Sequence, residues 1–213
     1  EFSRPVLQGL REPLEEGVVR ITRSAATYEL PSRVLLCLAM NPCPCGGLGR
    51  HSAACVCSQP ELDRYWRQVG TALLDRIPIR VWPGRLPVLR APSDADSESS
   101  KAARERVWRA RQRALDRVRG SGASMESSAI TNQHRSLRQL EESGAVTASL
   151  VRRARGLGQD LGLSGRAVLD LCRVARTIAD LDGADFPTEA DLEEALRLRT
   201  SIDGPQPFLH GAR

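Results

Sequence analysis

Val34-Leu-Leu-Cys-Leu-Ala-Met40, running straight into Asn41-Pro-Cys-Pro-Cys-Gly46, is the stretch on which the reading of this chain turns. Its first half is an unbroken run of seven apolar residues. A run that short and that uniform predicts a strand buried on both faces, as in a parallel sheet covered by helices. Asn41-Pro42 stops it abruptly. The C-terminal ends of such strands are where α/β sheets place ligand contacts, so Asn41 is a candidate site residue, with a turn-forming Asn before proline as the plain alternative.

Working outward toward the N-terminus, Pro31-Ser32 separates this run from two β-rich segments, Val18–Thr22 and Thr27–Leu30. They predict a hairpin over 18–30. Before it, Ser3 can cap a helix whose apolar residues Val6, Leu7, Leu10 and Leu14 recur at helical spacing, with Gly17 as its stop. On the other side, a Cys/Gly loop fills 42–58 and a helix is predicted over 60–74. Ile77–Trp82 reads as a strand, which Pro78 pushes toward an edge position. The polar residues of 91–100 mark the domain boundary.

Beyond that boundary the periodicity is helical. A basic helix over 101–119 keeps Val107, Ala110, Ala114 and Val118 on one side. A helix over 136–156 has its weak point at Gly144, and another runs from Ser164 to Gly183. A last helix opens at the capping box Thr188-Glu-Ala-Asp191 and buries Leu192, Ala195 and Leu196. The domains expected are 1–92, a linker over 93–100, an all-α domain over 101–200 and a tail over 201–213.

The chain of 213 residues carries 31 basic and 26 acidic residues, a net charge of +5. Residues 101–119 hold eight basic groups against Glu105 and Asp116, so the basicity is one stretch and not a coat. That helix reads as a solvated or subunit-facing surface ahead of a DNA-binding one. No apolar run approaches the ~20 residues that cross a bilayer, and no leader opens the chain, so a cytoplasmic protein without membrane contact is expected.

Four of the six cysteines fall between 43 and 57, as Cys43, Cys45, Cys55 and Cys57. Four thiolates suit tetrahedral Zn²⁺, and Gly46, Gly47 and Gly49 let a loop fold round an ion. Four cysteines leave no open position, so the zinc expected is structural. His51 is a spare ligand; free thiols or a redox pair are the alternatives. Cys37 and Cys172 read as core residues, and Arg173 and Arg176 as solvated ones.

In order along the chain, Glu1-Phe-Ser-Arg-Pro-Val-Leu7, Leu10-Arg-Glu-Pro-Leu-Glu-Glu-Gly17, Ala39-Met-Asn-Pro-Cys-Pro-Cys-Gly46, Leu73-Leu-Asp-Arg-Ile77, Glu98-Ser-Ser100, Leu163-Ser-Gly-Arg-Ala167 and Val174–Gly183 resemble the ComM/YifB-type AAA+ ATPases. These are bacterial relatives of the magnesium chelatase I subunit and, more distantly, of MCM helicases. The Cys-Pro-Cys-Gly string leans the resemblance to ComM/YifB over a chelatase subunit. It implies an α/β fold: an incomplete AAA+ P-loop core, with a parallel-strand remnant, an inserted hairpin and the Cys loop, followed by an all-α helical lid. It further implies a C-terminal piece beginning just after the Walker B acids. No Gly-x-x-x-x-Gly-Lys-Ser/Thr loop occurs in the sequence, so this polypeptide alone is not expected to hydrolyse ATP. A further expectation is poor solubility for an excised 1–90 and independent folding of 101–200.

The resemblance makes Asn41 sensor 1, Arg76 the arginine finger offered to a neighbouring subunit's ATP, and Arg166 sensor 2. A surface ion pair is the alternative for Arg76, and Pro78 stands where the family has Asp or Gly. The hairpin falls where helicase-like relatives place a pore-facing one, making Arg20 and Arg23 candidate DNA contacts, or else charged guards of a sheet edge. The function implied is a hexameric, ATP- and Mg²⁺-dependent motor on DNA, a branch-migration helicase of natural transformation and recombination. A chelatase-type motor that remodels a metal-inserting partner, and a non-catalytic zinc-stabilised interaction module, are the rivals.

Overall fold

The computed structural model describes residues 2–48, 55–81, 98–121 and 131–200. The chain divides into two units, one ending at Ile77 and one running from Pro78 to Thr200. Among the described residues no helix is long and apolar enough to cross a membrane.

In the first unit the helix expected after Ser3 forms in two pieces, α1 (Arg4–Gly9) and α2 (Arg11–Glu16), and Gly17 closes α2 in the left-handed conformation at φ 69°. Strands β1 (Val18–Arg23) and β2 (Ala26–Pro31) pair antiparallel, from Val18 opposite Pro31 to Arg23 opposite Ala26. The hairpin therefore lies where the alternation of β-formers put it. Helix α3 (Gln59–Val69) begins where the Ser58 N–H and hydroxyl both donate to the Glu61 carboxylate at 2.8 Å. Gly70 breaks the predicted 60–74 helix, and α4 (Thr71–Leu74) resumes it for one turn. The buried apolar side chains described in this unit are Leu7, Pro13, Cys43, Leu73 and Leu74.

The run at 34–40 corrects the sequence reading. It is neither paired nor buried: Leu35 is 90% exposed, and Val34, Leu38, Met40 and Cys37 are exposed with it. A strand buried on both faces needs neighbouring strands for its N–H and C=O groups and helices on both sides. Among the described residues the one sheet is the two-stranded hairpin. Cys37 is thus not a core residue here. No strand forms over 77–81 either, where the Arg80 N–H donates to the Leu198 carbonyl at 2.7 Å; Trp82 lies outside the described residues.

The second unit is all helical: α5 (Ser100–Gly120), a 3₁₀ turn at Asn132–His134, α6 (Leu137–Glu142), α7 (Ala148–Asp160), α8 (Gly165–Asp182) and α9 (Glu189–Thr200). Gly144, at φ 64°, separates α6 from α7, where the sequence predicted one weakened helix. Side-chain oxygens of Ser99, Ser136, Thr147 and Ser164 accept first-turn N–H groups and start α5, α6, α7 and α8. The core gathers Leu140, Val151, Ala154, Leu171, Cys172, Ala175, Leu192 and Ala195 around α8. Because α8 is packed by α5, α7, α9 and the 3₁₀ turn, its arginines are not the solvated residues expected. Arg176 has no exposed surface, and the Arg173 side chain is 18% exposed.

Candidate functional site

The four loop cysteines converge. Cys43 Sγ lies 3.4 Å from Cys45 Sγ and 3.7 Å from Cys55 Sγ, Cys45 Sγ lies 3.6 Å from Cys55 Sγ, and all four sulfurs including that of Cys57 fall within 4.8 Å of one another. A tetrahedron of sulfurs at the ~2.3 Å zinc–thiolate distance has edges of roughly 3.8 Å, so the donor set fits such an ion. The backbone supports it: the Leu48 N–H donates to Cys43 Sγ at 3.3 Å and the Gly47 N–H to Cys45 Sγ at 3.4 Å. Gly46 makes that possible by turning at φ 70°, where a side chain would be strained. Cys43 is fully buried while Cys45 is exposed. His51 lies outside the described residues.

The titration of these thiols follows from their crowding. Hydrogen bonds from the Gly47 and Val56 backbone hold the Cys45 thiol down at about 6. Cys57 goes the other way: a backbone hydrogen bond from Cys45 lowers it, but burial and the neighbouring thiols together push it up to about 12. An ionised thiol here raises the cost of ionising its neighbours, a repulsion that a divalent cation bound among them would offset.

Asn41 stands immediately before this cluster, its side chain exposed and its carbonyl accepting from the Tyr65 hydroxyl at 3.0 Å. Tyr65 stacks edge-on with Trp66 at 6.0 Å. Sequence reasoning missed Tyr65, since nothing in a helical period marks which hydroxyl reaches back across the Cys loop.

Arg76 follows α4 and is largely covered, 11% exposed. Its Nε donates to Glu15 at 3.1 Å, Nη2 also bonds that carboxylate, and Nη1 donates to the Ala72 carbonyl at 2.5 Å. Arg76 is thus held in an ion pair, and the carboxylate comes from α2, 61 residues away. Arg20 is held more tightly still, by Glu12 at 2.9 Å, Glu16 at 2.5 Å and Glu29 at 3.0 Å. Arg23 sits at the exposed end of the hairpin, and among the described residues no carboxylate pairs with it.

In the helical unit Arg166 occupies the first turn of α8, half-buried. One turn on, Asp170 is pushed above the usual carboxylate range by burial, against the pull of Arg173, Arg199 and Arg166. Asp170 bonds Arg173 at 3.0 Å and lies 3.6 Å from Arg199 of α9. Arg166 is thus seated beside a buried carboxylate that joins α8 to α9.

Comparison with known proteins matches the chain in two successive segments. The model for the magnesium chelatase subunit ChlI matches residues 1–88, and that for the ChlI C-terminal segment matches residues 97–199. The chain is 34% identical over 201 residues to the uncharacterized protein YifB of Escherichia coli, covering 93% of this chain and 37% of that protein. It is 36% identical over 201 residues to an uncharacterized Mycobacterium tuberculosis protein, 93% of this chain and 38% of the relative. It is 32% identical over 204 residues to the competence protein ComM of Haemophilus influenzae, 95% of this chain and 38% of ComM.

The chain belongs to the ChlI-like family that includes YifB and ComM. It spans about 37% of the length of the curated relatives it matches. Within that family the Cys cluster, Asn41 and Arg76 sit in the ChlI segment and Arg166 in the ChlI C-terminal segment.

Proposed function

We propose that this chain is the sensor, arginine-finger and lid portion of a hexameric AAA+ ATPase that moves along DNA. The observation that carries this reading is that both ChlI segments lie on one chain in order; a relative named as a competence protein points it toward recombining DNA. The relatives are longer than this chain. In this reading their remaining length corresponds to the loop and acids that grip ATP and Mg²⁺, and to the strands that flank 34–40.

Phosphoryl transfer is positioning and charge stabilisation. Asn41 orients the attacking water with its side-chain amide while Tyr65 steadies its backbone. Arg76 reaches the phosphates held by the next subunit, where its planar, always-charged fork matches phosphate oxygens. Glu15 holds Arg76 until that exchange. Arg166 links the lid to nucleotide state. The work done is ATP-driven branch migration during natural transformation.

The test is made in the whole parent protein. Arg76→Ala is expected to abolish ATP turnover while ATP still binds; unchanged turnover removes the finger from the account. The chelatase-related family description favours one rival, a motor that remodels a metal-inserting partner. ATPase stimulated by single-stranded or branched DNA supports the DNA motor, and stimulation only by a protein partner supports the rival.

The Cys43, Cys45, Cys55 and Cys57 cluster is proposed to hold a structural Zn²⁺. The support is the convergence of four sulfurs with two backbone N–H groups behind them. The ion would tie the two ends of the Cys loop together and carry no step of the reaction.

A further inference from the structure

Helix α5 begins outside its own bundle. Its buried residues are Ala110, Ala114 and Val118, so the half from Ser100 to Arg109 stands in solvent. That half and the turn after it carry Lys101, Arg104, Arg106, Arg109, Arg111 and Arg113 against one acid, Glu105. Arg106 pairs with Glu98 at 3.0 Å. Among the described residues no carboxylate pairs with Lys101, Arg104, Arg109 or Arg111.

In the middle of this charge is Trp108, 62% exposed. Lys101, Arg104, Trp108 and Arg111 recur at three- and four-residue spacing, so they share one face. A helix whose only task is solubility has no use for a bare indole, and a face meant for a protein core does not flank one with three cations. An aromatic ring set among cations fits a single nucleic-acid strand, with a base on the ring and phosphates on the cations. The hairpin is the weaker candidate, because three carboxylates already occupy Arg20.

We propose that this face of α5 binds single-stranded nucleic acid, with Trp108 stacking on a base and Lys101, Arg104 and Arg111 contacting phosphates. The proposal rests on the DNA-motor reading and assigns it a contact surface. The experiment titrates the 213-residue chain against a fluorescein-labelled oligothymidylate of about 20 nucleotides, following anisotropy across a salt series and tryptophan fluorescence in parallel. Trp108→Ala is expected to weaken binding about 10-fold or more, while Trp108→Phe, which still stacks, retains most of the affinity and loses the fluorescence quench. The triple change Lys101→Gln, Arg104→Gln, Arg111→Gln is expected to flatten the log–log salt slope by about 2, at ~0.7 for each phosphate no longer neutralised. Circular dichroism checks that the exposed substitutions leave the helices intact.

Unchanged affinity and slope in all variants overturn the surface and leave the DNA motor standing. Failure of the chain to bind the oligonucleotide also overturns the surface; DNA stimulation of the parent's ATPase then judges the motor separately. If the same variants instead dissociate an oligomer of this chain and leave nucleic-acid binding unchanged, the face is an interface between copies and the proposal is wrong.

Discussion

Arg176 and Arg135 are both buried, and the difference between them is a matter of partners. Arg176 pairs with Asp180 at 3.0 Å and donates to the carbonyls of Ala184 at 2.8 Å, Asp185 at 2.7 Å and Ala145 at 3.3 Å. It ties the end of α8 to the turn after α6. Arg135 is 4% exposed, its Nη1 has no hydrogen-bond partner, and burial and the nearby Arg117 both push its guanidinium below its usual range. Arg176→Met is therefore expected to cost about 1–3 kcal/mol, since it removes the donor from three carbonyls, while Asp180 keeps Arg117 and Asn132 as partners. Arg135→Met is expected to be neutral or stabilising. Urea unfolding of the two variants compares them, and equal destabilisation contradicts this difference in role. The cysteines make the other prediction at this scale. Protein purified under reducing conditions without chelator is expected to contain one zinc per chain by elemental analysis, absent from the Cys43→Ser, Cys55→Ser double variant. Four freely titratable thiols in metal-free protein would leave the cluster as plain cysteines.

Helices α7 and α8 approach at Gly158, where an added Cβ would lie 2.5 Å from the Val168 Cγ2. Helix propensity alone favours alanine there by ~1 kcal/mol. Overpacking against a β-branched side chain costs about 1–3 kcal/mol. Gly158→Ala is accordingly expected to lower the melting temperature, and Val168→Ala in the same chain to recover part of the stability that Gly158→Ala removes; a stabilised single variant contradicts this packing. The start of α3 carries a pH dependence. The Ser58 backbone and hydroxyl hold the Glu61 carboxyl below the usual carboxylate range, so its contribution is present above the unfolded value near pH 4.3 and is lost as pH falls through the lowered folded one. Glu61→Gln is expected to flatten the acid limb of the stability profile and to leave the neutral limb's shape unchanged.

At the scale of the whole chain the two units differ in what they bury. The helical unit has a continuous core around α8, whereas the first unit buries few apolar side chains among those described and leaves 34–40 exposed. Residues 98–200 expressed alone are expected to stay helical and unfold cooperatively, and 1–77 alone to self-associate; sedimentation and thermal melts distinguish these, and a monomeric, cooperative 1–77 contradicts the second half. The sequence by itself determined what rests on near neighbours and on composition: the hairpin at 18–30, the caps at Ser164 and Thr188, the stops at Gly17 and Gly183, and the four cysteines as a set. These depend on φ/ψ preference, short hydrogen bonds and period, which a linear pattern records. Tertiary structure alone decided that Arg76 meets Glu15, that Tyr65 reaches Asn41, that Arg176 is buried and that Trp108 is not. Each joins or separates residues far apart in the chain, so burial and charge pairing there are properties of packing, and an apolar run such as 34–40 becomes a buried strand only where other strands and helices are present to cover it.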